Sequence, residues 1–151
     1  MQKIKLGTGI DDIKFGIGPN ELVKQLGEPT EDEMSEDDGL AILHYDEKNL
    51  SFGFSKEYGF RLLSVTISDE DAQIEEVSLI GSSLQEVLDK LEVLGISDID
   101  IEDISSDEFP NQQLVTAFEF SLNLWFDNDE LAEIQWGPFW DNEKDEPLWP
   151  E

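Results

Sequence analysis

Two kinds of apolar spacing alternate along the chain. Leu22, Val23 and Leu26 fall on one face of a helix, and so do Leu84, Val87, Leu88 and Leu91. The residues ahead of each stretch fit a helix start. Gly18 takes the N-cap, Pro19 the first helical position and Glu21 the third. Ser83 and Glu86 form a capping box, in which the hydroxyl and the carboxylate each satisfy a free backbone N–H. Gly27 with Pro29 ends the first helix, and Gly95 ends the second. A period of two follows each helix. Leu50, Phe52 and Phe54 alternate with Ser51, Gly53 and Ser55, and Leu63, Val65 and Ile67 continue the pattern. Later, Leu122, Leu124 and Phe126 alternate with Asn123, Trp125 and Asp127, followed by Ala132, Ile134 and Trp136. Residues 55–59 and 127–129 read as hairpin connections. Earlier strands are predicted over 41–45 and 114–120. Acidic loops are predicted over 28–39, 69–76 and 97–111.

The two helix openings fall in register at a constant offset of 65: Gly16 with Gly81, Glu21 with Glu86, Leu26 with Leu91. In the strands the offset becomes 72, as for Leu50 and Leu122. The expected fold is therefore α+β. It has two tandem helix-plus-antiparallel-meander repeats, about 13–68 and 78–137, with the helices on one face of the sheet. One domain spans 1–151. Its charged tail, from 141 to 151, follows Trp140 and contains Trp149, so it is expected to pack back on the body.

The segment Gly16-x-Gly18-Pro19-Asn20-Glu21-Leu22-Val23-x-x-Leu26-Gly27-x-Pro29 resembles the helix-opening segment of the β-lactamase-inhibitor-protein-like fold. That resemblance implies two tandem helix-plus-meander repeats whose sheet forms a concave protein-binding surface. The stretch from Leu131 to Asp141, and the closing Pro147-Leu148-Trp149-Pro150, resemble the ends of some small acidic bacterial immunity proteins. Those neutralise a toxin by direct binding. The secreted inhibitors carry disulfides and this chain has no cysteine. No position matches a defined partner-contact motif, so no contact residue carries over.

Charge sharpens the picture. With 38% apolar residues, including nine Phe and four Trp, the chain can bury a core despite a formal charge of −28. Residues 1–74 hold 16 acids against 7 bases, and residues 75–151 hold 21 against 2. Such a field repels nucleic acid and anionic membrane and hastens encounter with a basic protein. Plain solubility, or a salt-rich habitat, is an equally open reading of the same acidity. Without cysteine there is no disulfide, zinc–thiolate site or thiol chemistry. The N-terminus has no signal-peptide core and no run reaches membrane-spanning length, so a cytoplasmic home is expected.

Catalytic groups are hard to assemble. His44 is the single histidine, no G-x-S-x-G elbow accompanies it, and a hydrogen-bonded strand histidine is expected. Among 37 acids, some pair always falls at glycosidase spacing by chance. Asp98-x-Asp100-x-Glu102 resembles the start of a calcium loop, but Asp103 stands where glycine is needed and Phe109 where Glu is needed. The acidic runs 31–33 and 36–38 read as solvated loops. No phosphate-binding or dinucleotide fingerprint occurs, and Arg61 is the sole arginine. No enzyme, cofactor or metal is expected.

The remaining candidate is a sheet face. With Leu122, Leu124 and Phe126 turned inward, Trp125 points outward. Glu133, Gln135 and Glu119 are expected beside it, and Tyr45 completes the partner-contact set. A Trp ringed by carboxylates suits a binding anchor. Whether Phe139, Trp140 or Trp149 covers it stays open. The expected function is a non-enzymatic protein-binding protein, an immunity or inhibitor protein taking a basic partner such as a toxin. The alternatives are a nucleic-acid mimic, a carboxylate-only enzyme and a metal-binding domain. Oligomeric state is not readable.

Overall fold

The computed structural model describes residues 3–35, 37 and 39–150. In chain order the elements are β1 (Lys3–Lys5), β2 (Gly9–Ile10), β3 (Ile13–Lys14), α1 (Pro19–Leu26), β4 (Glu31–Ser35), β5 (Leu40–Tyr45), β6 (Leu50–Ser55) and β7 (Arg61–Ile67). Then come β8 (Gln73–Ile74), β9 (Val77–Ser78), α2 (Leu84–Val93), β10 (Ile99–Asp103), β11 (Gln112–Ala117), β12 (Leu122–Asp127), β13 (Glu130–Trp136), β14 (Phe139–Asp141) and β15 (Glu146–Leu148).

The two helices start and stop as their end residues require. Gly18 is extended at the N-cap of α1 with Pro19 behind it, and the Gly27 N–H returns to the Val23 carbonyl at 2.7 Å. In α2 the Ser83 hydroxyl accepts from the Glu86 N–H at 3.2 Å, and the Glu86 carboxylate accepts from the Ser83 N–H at 3.3 Å. Ser83→Ala is expected to cost about 1 kcal/mol, since it frees one N–H of the first turn. A urea titration reads this, and a loss below about 0.3 kcal/mol would show that Asp129, which accepts from the Leu84 N–H, holds the turn alone.

The architecture is mainly β and corrects the expected α+β pair of repeats. Among the described residues fifteen strands form three sheets, and the helices are only eight and ten residues long. One sheet has eight antiparallel strands in the order β10-β11-β12-β13-β7-β6-β5-β4. A second has five short strands ordered β3-β2-β1-β8-β9. Its members come from ahead of α1 and from between β7 and α2, so it belongs to no single helix-plus-meander unit. The third is the β14–β15 hairpin. Two of the expected acidic loops are partly strand. Residues 31–35 and 99–103 are strands at the edges of the large sheet. An edge strand exposed to water needs only main-chain pairing, so its side chains carry no apolar period. Of the expected 69–76 loop, β8 takes Gln73 and Ile74.

One face of the large sheet is buried. It carries Phe52 and Phe54 on β6, Leu122, Leu124 and Phe126 on β12, and Ile134 and Trp136 on β13. These join Ile4, Ile10 and Ile74 of the second sheet, with Leu22, Val87 and Leu91 of the helices, in one apolar cluster. Two bulges alter the inward set. The register slips between Gly53 and Phe54 against β7, and between Trp125 and Phe126 against β13. Each inserts a residue and reverses the alternation beyond it. Leu62 and Leu131 are therefore buried, whereas Leu63 and Ala132, expected inward, are only half-buried. The β7–β13 join is short, with Ile67, Thr66 and Val65 facing Ile134, Gln135 and Trp136.

Candidate functional site

The opposite face of the large sheet is polar. Cross-strand partners align one residue from every strand into a single row: Glu31, His44, Ser51, Thr66, Gln135, Asn123, Thr116 and Asp100. Seven spacings of about 4.8 Å make this row roughly 34 Å wide. Local bonds order it. Thr116 Oγ1 donates to Asn123 Oδ1 at 3.1 Å, and His44 Nδ1 lies 2.8 Å from Ser51 Oγ. His44 Nε2 sits 3.3 Å from Glu33 Oε1, buried but outside hydrogen-bond geometry. The strand histidine is thus bonded through one of its two ring nitrogens.

Trp125 stands one row along, directly across from Glu133 on β13 and Leu114 on β11. It is 43% exposed. Its indole N–H donates to Gln112 Oε1 at 2.6 Å, and the Gln112 amide donates to Asp127 Oδ1 at 2.6 Å. Gln112 is buried, so the ring is tethered from below. The tail does not cover it. Trp140 and Trp149 meet Tyr58 edge-on at 6.1 and 6.3 Å, and the Arg61 guanidinium lies 4.1 Å over Trp149. Phe139 meets Phe120.

Of the five residues expected together, three share this surface: Trp125, Glu133 and Gln135. Glu119 does not. It lies in the 3-10 turn Phe118–Phe120, past the end of β11, because the strand expected over 114–120 ends at Ala117. Tyr45 does not either. It is buried on the core face beside Phe52, and its hydroxyl donates to the Gly27 carbonyl at 2.8 Å. Burial, and next the Glu28 carboxylate, raise its phenol above the ordinary value. The residues missed were Thr66, Asn123 and Gln112. Thr66 and Asn123 alternate with apolar neighbours and Gln112 lies between Asn111 and Gln113, but uncharged polar side chains give no signal of their own until strand order is known.

A recess of about 340 Å³ is walled by Thr66, Leu114, Asn123, Trp125, Glu133 and Gln135. An adjoining one of about 230 Å³ shares Thr66 and Glu133 and reaches Asp46. A separate recess of about 500 Å³ lies elsewhere, between the second sheet, the end of α2 and Phe139. The calcium-like spacing proves to be strand: Asp100 and Glu102 lie in β10, opposite Thr116 and Leu114. Asp103 ends that strand with its pKa lowered by bonds from the Ser105 side chain and then its N–H. Glu31 to Glu33 are strand residues too, while Glu36 and Asp38 lie outside the described residues, as do Met1, Gln2 and Glu151. Among the described residues no group of three or more His, Asp or Glu is placed to hold a metal, and no helix is long and apolar enough to cross a membrane.

The sequence matches no protein-family model and no curated protein. Its structure is similar to the crystal structure of an extracellular protein containing a SCP domain from Bacillus anthracis str. Ames. The TM-score is 0.53 at 16% identity, covering 89% of this chain. The match takes in 50% of that protein, so this chain spans about half its length. The likeness is one of fold alone.

Proposed function

We propose that this is a non-enzymatic protein-binding protein of the inhibitor or immunity type, which takes a basic partner protein on the polar face of its large sheet. The observation that carries the reading is Trp125, 43% exposed and tethered, beside Glu133 on a face almost without cations. Across the eight strands of that sheet the basic residues are His44 and Arg61. Arg61 is occupied by the Gly16 carbonyl at 2.9 Å and by the Trp149 ring. A rigid aromatic within an acceptor-rich surface suits a hot spot with a polar rim. The width of the face is ample for the roughly 800 Å² that a stable complex buries on each side.

The nucleic-acid-mimic reading is weaker on geometry. The acidic rows on β4 and β10 lie about 34 Å apart, whereas the major groove between phosphate rows is about 12 Å wide. The test is affinity capture from the source organism at low and moderate salt, followed by titration of the purified partner. Trp125→Ala is expected to raise Kd about 30-fold, corresponding to a hot spot of about 2 kcal/mol. Failure to capture any partner at either salt, or indifference of the complex to Trp125→Ala, would sink the reading.

A further inference from the structure

We propose that the recess between Trp125 and Glu133 receives an arginine side chain of the partner protein; this rests on the protein-binding reading above and names what the site selects. The two walls oppose one another across adjacent strands, which brings their Cβ atoms to about 5 Å. Gln112 holds the indole by its N–H, so one ring face is presented without loss of side-chain freedom on binding. Glu133 is exposed, and among the described residues no ion pair engages it. A carboxylate beside an aromatic face, within a chain of net charge −28, is a cation receptor.

Size and shape narrow the cation. About 340 Å³ is at the bottom of the range for small-molecule pockets, a size that suits one long side chain. A guanidinium is planar: it stacks on the indole while its edge forks onto a carboxylate, which the compact ammonium of lysine cannot do at once. Asp46 lines the adjoining recess, on the other side of Glu133, and adds to the negative potential nearby. The equivalent place beside the other bulge cannot do this. There Gly53 faces Ser64, so neither an aromatic ring nor a carboxylate stands at that place.

The experiment titrates the full chain with an acetylated and amidated Gly-Gly-Arg-Gly-Gly peptide, and follows the Trp125 indole N–H by NMR, assigned with Trp125→Phe. Counterparts carry lysine or citrulline at the central position, and chitotriose supplies an uncharged sugar. The expected result is a saturable shift with arginine, about tenfold weaker binding with lysine, and none with citrulline or the sugar. Glu133→Gln is expected to weaken the arginine peptide about tenfold with no change in melting temperature, because its side chain is exposed and unbonded. Equal response to citrulline, a response to the sugar, or silence with arginine would overturn the proposal. If the peptide fails while Trp125→Ala still weakens the captured partner, the occupant is wrong and the binding face stands. If both fail, both fall.

Discussion

Replacing Trp136 by alanine is expected to remove about 4 kcal/mol of stability, a large part of the 5–15 kcal/mol that a domain possesses. Trp136 is 1% exposed and sits in the short join of the large sheet, flanked by Val65 on β7 and Leu122 on β12. Its indole N–H also donates to the Gly9 carbonyl at 3.0 Å, which fastens the second sheet to the first. Alanine would leave a cavity at that seam and strand a buried carbonyl, two losses that relaxation cannot both repair. In urea the midpoint is expected to fall by about 2 M, for an m-value of about 2 kcal/mol/M. Trp136→Phe separates the parts: it keeps most of the volume and loses the bond, for about 1–2 kcal/mol. A loss below about 1 kcal/mol for alanine would mean that the two sheets do not depend on this ring.

The second large effect lies at the other end of the same bond. Gly9→Ala is expected to cost about 3 kcal/mol and lower Tm by about 10 °C. Gly9 has φ +150°, and an added Cβ would stand 1.9 Å from the Ile13 carbonyl oxygen and 3.0 Å from Lys14 Cα. Both obstacles are backbone of the strand that Gly9 pairs with, so no rotamer change relieves them. Moving the β2–β3 hairpin would also shift the carbonyl that Trp136 reaches. The double variant with Trp136→Phe is therefore expected to cost less than the two single changes added together. Differential scanning calorimetry on the four proteins decides it. A Gly9→Ala protein within about 0.5 kcal/mol of the parent would show that the hairpin yields freely.

Much of the local structure was legible along the chain. Gly18 with Pro19, and Ser83 with Glu86, marked both helix starts because capping chemistry is local. The alternation of Leu50 to Phe54 and of Leu122 to Phe126 marked β6 and β12 for the same reason. What escaped depends on distant pairing. Glu31 to Ser35 and Ile99 to Asp103 are strands because β5 and β11 offer them a ladder, not because their side chains ask for it. β2, β3, β8 and β9 hold two residues each, too few for any period. The bulges at Leu63 and Ala132 reversed two short alternations. As to the site, Trp125, Glu133 and Gln135 could be brought together from strand parity. Glu119 was lost when a 3-10 turn ended β11 early, and Tyr45 because parity on β5 places it with Ala41 and Leu43 on the core face.

The acidity of the outermost strands has a further consequence for the chain in the company of its own kind. A sheet ending in bare N–H and C=O groups is a template on which a second molecule can grow. Here one border offers Glu31, Asp32 and Glu33, and the other Asp100, Glu102 and Asp103. Any stacking of like molecules border to border would set negative charges face to face at every second residue. Charge at both borders therefore opposes extension of the eight-stranded sheet by a second copy, whatever else the carboxylates do.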